Sequence, residues 1–132
     1  MPVIEASVLV ELFYGKQGAR KARHFVHEAD HELLAPHLID AEVGSGLRGL
    51  TSAGKMEPDV AERSLLELAE LPLKRAPHTL LLDDAWSMRS RVSFYDALYL
   101  ALARAADTAL VTFDRRLAGA ARTFGVEAEL LA

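Results

Sequence analysis

One stretch, residues 93–114, constrains the fold more than any other part of the chain. Its sequence is SFYDALYLALARAADTALVTFD, and within it the run ALYLALA is apolar almost all round, which predicts a helix packed inside the protein. The following run ALVTF has the length of a strand and contains β-branched Val111 and Thr112, which is typical of a parallel strand buried on both faces. Asp96 lies in the first turn of the helix, and Asp114 directly follows the strand.

Helices and strands alternate along the rest of the chain. A three-layer α/β/α fold around a central parallel sheet of about five strands is therefore expected. Pro72 predicts that the third strand lies at an edge of the sheet. The predicted strands are 3–4, 32–35, 71–76, 109–113 and 126–131. The predicted helices are 6–14, 18–29, 38–51, 58–70, 79–91, 115–124 and the one that opens at Ser93.

Length and composition limit the classes of protein that remain. With 132 residues, 51% of them hydrophobic, the chain is expected to form a single domain over 1–132. The absence of cysteine excludes disulfides and thiolate zinc sites, so a metal would be bound by oxygen or imidazole ligands. No signal peptide and no apolar run of membrane-spanning length is visible, so a soluble, cytoplasmic protein is expected. A net charge of −4 disfavours a broad basic surface for nucleic acid.

Four carboxylates occupy positions where α/β sheets bind ligands, at the ends of strands and in the first turns of helices. Glu5 follows the first strand, and Glu42 borders the apolar stripe of helix 38–51. Asp96 opens the buried helix, and Asp114 follows the strand after it. Each acid alone also has a structural explanation: Asp96 and Asp114 suit helix capping, Glu42 could extend to solvent from the edge of its stripe, and Glu5 could lie on the surface.

The four acids together point to a metal ion. Carboxylates brought close together repel one another unless cations or protons neutralise them. A bound metal ion therefore explains the presence of four acids better than a contribution of these acids to the stability of the fold does. Oxygen-only ligands suit Mg²⁺ or Mn²⁺. Such ions orient and deprotonate a water molecule and stabilise the attacking and leaving oxygens of a phosphodiester.

Three segments that together span nearly the whole chain carry a family resemblance. They are VIEASVLVELFYG, APHLIDAEVGSGLRGL and SFYDALYLALARAADTALVTFDRRLA. They resemble the PIN-domain ribonucleases, and in particular the VapC toxins of bacterial toxin–antitoxin pairs. The resemblance implies a PIN-like fold and a metal-dependent endoribonuclease that acts as a toxin on RNA. It also implies a homodimer and a small antitoxin protein that occupies the active-site groove.

The resemblance also assigns roles to individual residues. It implies that Thr112 supports a site in which four acids are catalytic and bind Mg²⁺ or Mn²⁺, namely Glu5, Glu42, Asp96 and Asp114. Two positions depart from the family pattern. Glu5 stands where the family nearly always has Asp, and Arg116 stands where some members have a further acid. An alternative function is therefore a PIN-like binding module with catalysis impaired by the longer Glu5 side chain.

Other residues suggest further contacts. Arg115 and Arg116, just past Asp114, are candidate contacts for an RNA phosphate, because arginine suits bidentate phosphate binding. Their alternative role is surface solubility. Three aromatic side chains are candidates for stacking on RNA bases, although aromatic residues at such spacing belong more often to the core. These aromatic residues are Tyr14, Phe94 and Tyr95.

A short run of histidines and acids gives a competing signal. Residues 27–31 read HEADH and match the H-E-x-x-H pattern of zinc proteases. The pattern needs one helix through His27 and His31, whereas the sequence after Asp30 predicts a strand. We therefore interpret the match as accidental.

Three glycines in helix 38–51 predict close packing. Each costs about 1 kcal/mol relative to alanine in a helix interior, so a neighbouring element or a second chain is expected to approach the helix closely. The glycines are Gly44, Gly46 and Gly49.

Overall fold

The computed structural model describes residues 1–28 and 32–132, and in these residues five parallel strands form one sheet. They are β1 Val3–Ile4, β2 Leu33–Pro36, β3 Leu73–Ala76, β4 Leu110–Thr112 and β5 Ala128–Leu130. Their order across the sheet is β3-β2-β1-β4-β5, so β1 is central and β3 and β5 are the edges. The buried strands β1, β2 and β4 consist almost entirely of apolar residues, as parallel strands covered on both faces should.

Seven α-helices connect and cover the strands in the described part of the chain. They are α1 Ala6–Tyr14, α2 Ala19–Arg23, α3 Leu38–Ser52, α4 Pro58–Glu70, α5 Leu82–Ser87, α6 Phe94–Ala105 and α7 Arg115–Thr123. A π-helical segment, His24–Glu28, continues α2, and a 3₁₀ turn, His78–Leu80, precedes α5. None of the described helices is long and apolar enough to cross a membrane.

The order of the strands places the helices in two layers. From β1 the chain moves through β2 to the edge strand β3, and then it crosses back to β4 and moves outward to β5. Right-handed crossovers in opposite directions put their helices on opposite faces of the sheet. Accordingly α1, α3 and α4 pack together on one face, while α6 packs against β1 and β4 with α5 beside it. The predicted three-layer α/β/α fold is confirmed.

Helix α6 is buried along most of its length, as its sequence predicts. Seven consecutive residues, Ala97 to Ala103, are buried, and small alanines on this helix permit close contact with the sheet. Ser93 begins the helix, because its side-chain oxygen accepts a hydrogen bond from the Asp96 backbone N–H at 3.1 Å. The position of β3 at the sheet edge also agrees with the prediction from Pro72.

Two predicted helices differ from the observed ones. Instead of one helix over 79–91, the chain forms a 3₁₀ turn and the short α5. Helix α5 ends because the Met88 N–H bonds to the Ala85 carbonyl at 3.1 Å, which tightens the last turn while the Met88 side chain becomes fully buried. The predicted helix 18–29 is α2 and the π-helical segment, and its last residue, Ala29, lies outside the described residues.

The glycines of α3 face three different environments. A Cβ atom added at Gly46 would lie 2.9 Å from Cγ2 of Val10 on α1, closer than real Cβ atoms approach other atoms. A Cβ at Gly44 would make an ordinary contact with Leu65 at 3.9 Å, and one at Gly49 would meet nothing within 4 Å. Close approach of a neighbouring element therefore explains Gly46 and leaves Gly49 without a packing role in the chain.

The different surroundings of Gly46 and Gly49 predict opposite effects of alanine substitution on the free energy of unfolding. We expect Gly49→Ala to raise the free energy of unfolding by about 0.5–1 kcal/mol, because alanine favours the helix and meets open space. We expect Gly46→Ala to lower it by about 1 kcal/mol, because overpacking against the stiff Val10 side chain exceeds the gain in helix propensity. Urea denaturation checks both values. Val10→Ala is the control background, in which Gly46→Ala should cost less free energy of unfolding than it costs in the unmodified protein. An equal cost in the two backgrounds would contradict the packing explanation.

Candidate active site

The order of the strands creates a crevice at the C-terminal ends of β1 and β4. The connection from β1 leaves toward one edge of the sheet and the connection from β4 toward the other, so their C-terminal ends form a topological switch point. The Glu5 N–H donates to the Val111 carbonyl at 3.0 Å and keeps the chain paired with β4 beyond the end of β1. Glu5 and the residues after Val111 are thereby held side by side.

Glu5 is fixed by three hydrogen bonds. The hydroxyls of Ser7 and Thr112 both donate to its Oε1, at 2.5 and 2.6 Å, and the Ser7 N–H donates to its Oε2 at 3.2 Å. Glu5 thus acts as the N-cap of α1 with its longer side chain. A carboxylate has about four lone-pair positions, so these contacts leave roughly one for a further partner.

Thr112 and Ser7 connect Glu5 to the segment that carries Asp114. Thr112 is fully buried, and its hydroxyl accepts the Asp114 N–H at 2.9 Å while it donates to Glu5. The Ser7 hydroxyl accepts the Phe113 N–H at 2.9 Å in the same way. Each hydroxyl therefore satisfies one backbone donor and the Glu5 carboxylate at once, which sets the distance between the two acids.

Asp114 caps α7. Its Oδ1 accepts the N–H groups of Arg116 and Leu117, at 2.9 and 3.2 Å, so the capping role considered for this residue is realised. Its Oδ2 lies 3.7 Å from the Arg116 guanidinium. Capping and a role in the site are compatible, because they use different oxygens of the same carboxylate.

Asp96 lies opposite Asp114 across the same guanidinium. The Arg116 side chain donates to Asp96 Oδ2 at 3.1 Å, and the Asp96 side chain is 15% exposed. Arg116 therefore bridges the first turn of α6 and the N-cap of α7. Arg115, the first residue of α7, is exposed beside it.

Glu42 reaches the site from α3 and contacts the buried helix α6. It accepts a 2.8 Å hydrogen bond from the hydroxyl of Tyr99, a tyrosine with no exposed surface. Burial raises the pKa of Glu42, the hydrogen bond from Tyr99 lowers it, and the charges of Glu5 and Asp96 raise it further. Burial and the neighbouring Glu42 charge likewise raise the pKa of Tyr99. Glu42 thus lies within the electrostatic field of the other acids.

The four sequence-predicted acids are linked into one cluster, which we call the acid cluster (Glu5, Glu42, Asp96 and Asp114). Hydrogen bonds through Thr112 connect Glu5 with the Asp114 backbone, Arg116 connects Asp114 with Asp96, and electrostatic repulsion couples Glu42 to Glu5 and Asp96. Within the described residues, no three acidic or histidine side chains converge closely enough to form a ready metal cage. The donor set consists of carboxylate oxygens, which fits a hard divalent cation once the side chains turn toward it.

A cavity of about 320 Å³ adjoins the acid cluster. Its lining includes Glu42, Ser45 and Tyr95. Tyr95 is 61% exposed and the neighbouring Phe94 is 37% exposed, so neither side chain belongs to the core. These exposed aromatic side chains lie beside Asp96 in the first turn of α6.

Two residues of the site were not singled out from the sequence as site residues. One is Ser7, for which the sequence carries a local signal, because a serine two residues after an acid at a helix start is typical of a side-chain cap. Tyr99 was treated as core, although its hydroxyl is the one polar side-chain group in the apolar run ALYLALA and needs a partner when buried. Both signals are local, but Phe113, whose N–H the Ser7 hydroxyl accepts, and Glu42, the partner of Tyr99, are far away in sequence.

The competing zinc pattern is only partly visible. His27 and Glu28 belong to the π-helical segment, while Asp30 and His31 lie outside the described residues. Another histidine has a structural role, because the Nε2 atom of His78 accepts the Leu38 N–H at 2.8 Å and caps α3.

The chain is similar to known proteins along most of its length. The family model described as "PIN domain" matches residues 3–123. The chain is 40% identical over 120 residues to Ribonuclease VapC1 of Mycobacterium tuberculosis, covering 89% of both chains. It is 36% identical over 117 residues to Ribonuclease VapC9 of the same species, covering 89% of this chain and 88% of that protein.

Solved structures share the fold. Mycobacterium tuberculosis VapC20, described as a Sarcin-Ricin loop cleaving toxin, superposes with a TM-score of 0.71 at 16% identity, over 91% of this chain and 95% of that chain. PAE2754 from Pyrobaculum aerophilum superposes with a TM-score of 0.67 at 25% identity, over 96% and 87% of the two chains.

The raised pKa of Glu42 has a consequence for stability. The raised pKa means that Glu42 binds a proton more readily in the folded state than in the unfolded state. The free energy of unfolding therefore falls as the pH rises from the ordinary pKa of 4.5 toward the raised value. We expect Glu42→Gln to stabilise the metal-free protein at pH 7 and to match the unmodified protein below about pH 4. Gln can still accept the Tyr99 hydrogen bond. Urea denaturation across this pH range is the measurement, with exposed Glu62→Gln as the control; equal pH slopes for all three proteins would contradict the assignment.

Proposed function

The chain belongs to the PIN-domain family, and from that premise we propose that it is a Mg²⁺- or Mn²⁺-dependent endoribonuclease acting as the toxin of a toxin–antitoxin pair. Its curated relatives over most of its length are named VapC ribonucleases. The observation that carries the proposal is the acid cluster, in which hydrogen bonds, the Arg116 bridge and electrostatic coupling link four carboxylates from separate elements near the switch point of the sheet.

The acid cluster supports the cation dependence of this proposal. Glu5, Glu42, Asp96 and Asp114 would hold the ion through their oxygens, and Thr112 would keep Glu5 and Asp114 in register. Burial, and after it the charges of Glu5 and Asp96, raise the pKa of Glu42, so an ionised carboxylate at this position costs free energy. A bound divalent cation supplies the missing positive charge, activates water and stabilises charge on the phosphoryl oxygens.

The proposed reaction is hydrolysis of an RNA phosphodiester. The oxygen of a water molecule forms a bond to phosphorus, the bond from phosphorus to the leaving ribose oxygen breaks, and a proton ends on that leaving oxygen. The protein forms no covalent bond to the substrate. Arg115 and Arg116, exposed at the start of α7, would bind substrate phosphates beside the acid cluster.

The exposed aromatic residues support a single-stranded substrate. Unpaired bases stack on aromatic side chains, whereas paired bases are inaccessible to them. Tyr95 lines the cavity beside Glu42, and Phe94 is next to it. A base next to the cleaved phosphate would stack there.

Two partners follow from the same proposal. A cognate antitoxin would cover the groove that contains the acid cluster and block cleavage in the cytoplasm. A second copy of the chain would form a homodimer, for which exposed Leu65 and Leu66 on α4 offer apolar surface. Sedimentation at tens of micromolar tests the dimer, because a monomer at that concentration would exclude even micromolar affinity.

Neutral replacements of two acids test the activity. We expect Asp96→Asn and Asp114→Asn each to abolish Mn²⁺-dependent RNA cleavage, because each removes a charged ligand. The fold should remain as stable or become more stable without metal, since repulsion decreases and Asn is also a good N-cap. Cleavage assays and urea denaturation provide the two measurements. Asp83→Asn, at an exposed acid in the first turn of α5, is the control, and full activity in either site variant would exclude that acid as a ligand of the ion.

Replacement of Glu5 separates an active enzyme from the alternative, a PIN-like binding module. The three hydrogen bonds to Glu5 favour a site adapted to the longer side chain, so we expect Glu5→Asp to lower activity by about tenfold, roughly 1.4 kcal/mol of barrier. Glu5→Ala should remove Mn²⁺-dependent cleavage and weaken Mn²⁺ binding. Calorimetry and cleavage assays measure these effects. A gain of tenfold or more in Glu5→Asp would instead support the binding module with impaired catalysis.

A further inference from the structure

The guanidinium of Arg116 occupies a place between two carboxylates of the acid cluster. It lies 3.1 Å from Asp96 Oδ2 and 3.7 Å from Asp114 Oδ2. The Arg116 side chain is 68% exposed, whereas those of Asp96 and Asp114 are 15% and 36% exposed. The cation therefore covers the two acids from the solvent side.

The local structure holds Arg116 in this place. Asp114 Oδ1 accepts the Arg116 backbone N–H, so the same carboxylate positions the start of α7 and presents its other oxygen to the side chain of that residue. Asp96 is held in the first turn of α6 by the Ser93 cap. The two carboxylates and the guanidinium are thus positioned by two helix starts, with few freely rotating bonds between the backbone and the acids.

Stability is a weak explanation for this bridge. Ion pairs of exposed arginines contribute little to stability, because water screens them and the side chain loses entropy. A positive charge between two carboxylates has a clearer effect on what else can bind there. The carboxylate oxygens that Arg116 contacts are less available to a second metal ion, because the guanidinium already supplies the positive charge that neutralises them.

We propose that Arg116 is the second cation of the acid cluster: it bridges Asp96 and Asp114, limits the site to one divalent cation, and contacts the phosphate that is cleaved. This inference rests on the proposed ribonuclease function. Glu5, Glu42, the second oxygen of Asp96 and the lone pairs of Asp114 that these contacts leave open remain for the divalent ion. The guanidinium is exposed enough to reach substrate, and its planar fork suits the two oxygens of a phosphodiester.

The geometry gives Arg116 a role in the reaction that differs from general attraction of RNA. Negative charge grows on the phosphoryl oxygens during hydrolysis, and a cation already oriented by Asp96 and Asp114 stabilises it without reorganisation. Removing one such oriented donor typically costs about 10²–10³ in rate. Arg115 carries the same charge on the next residue, so it separates the specific role from the general one.

The test combines Mn²⁺ binding without RNA and cleavage of RNA, with the complete chain in both. Calorimetry should give one Mn²⁺ per chain for the unmodified protein and for Arg115→Ala. Arg116→Ala should bind a second Mn²⁺, because two carboxylates lose their cation, and its cleavage rate should fall by about 10²-fold. Arg116→Lys should keep the stoichiometry of one and recover part of the rate, since lysine retains the charge but lacks the planar fork.

Several results would overturn the inference. They are two Mn²⁺ ions in the unmodified protein, a stoichiometry that stays at one in Arg116→Ala, or equal loss of cleavage in Arg115→Ala. Faster cleavage by Arg116→Ala would also overturn it, because the guanidinium would then obstruct the site. If the unmodified protein bound no Mn²⁺ and left RNA intact, the proposed ribonuclease function would fail, and this inference with it.

Discussion

The parallel pairing of β1 with β4 is the constraint on which the site depends. These strands are neighbours in space but are separated by about a hundred residues of chain, and the helical connections on either side of them leave in opposite directions. Pairing places Glu5 beside Thr112 and brings Asp114 to the same end of the sheet. Because both strands are buried on both faces, a shift of register would expose apolar residues, so the positions of the acids are set by the core.

The four carboxylates of the acid cluster are each stabilised by groups of the protein itself. Each carboxylate has a partner of its own: hydroxyls for Glu5, the Tyr99 hydroxyl for Glu42, backbone N–H groups for Asp114, and Arg116 for Asp96. Two of these arrangements are helix caps, which stabilise by about 1 kcal/mol each and so offset part of the repulsion. At Glu42, burial and the charges of Glu5 and Asp96 raise the pKa of the carboxyl group. The proposed chemical role of these side chains would therefore be combined with the structural roles that the fold shows.

Glu5 illustrates how one methylene group changes the interpretation of a site. From the sequence alone, a Glu in place of the usual Asp suggests a misplaced ligand and a disabled enzyme. In the structure the longer side chain reaches both Ser7 and Thr112, and the two hydroxyls also satisfy the N–H groups of Phe113 and Asp114. The substitution is thus built into a hydrogen-bond network that the sequence pattern did not reveal.

The sequence by itself determined the alternation of strands and helices, the buried helix α6, the edge position of β3 and the family, because these depend on local periodicity and short motifs. It also identified Glu5, Glu42, Asp96 and Asp114 as candidates, since acids at strand ends and helix starts are readable one at a time. The partner of Tyr99, the bridge made by Arg116 and the contact that explains Gly46 were decided only by the tertiary structure. Each joins residues that are distant in sequence, and such contacts depend on how the elements pack in space, which local patterns do not encode.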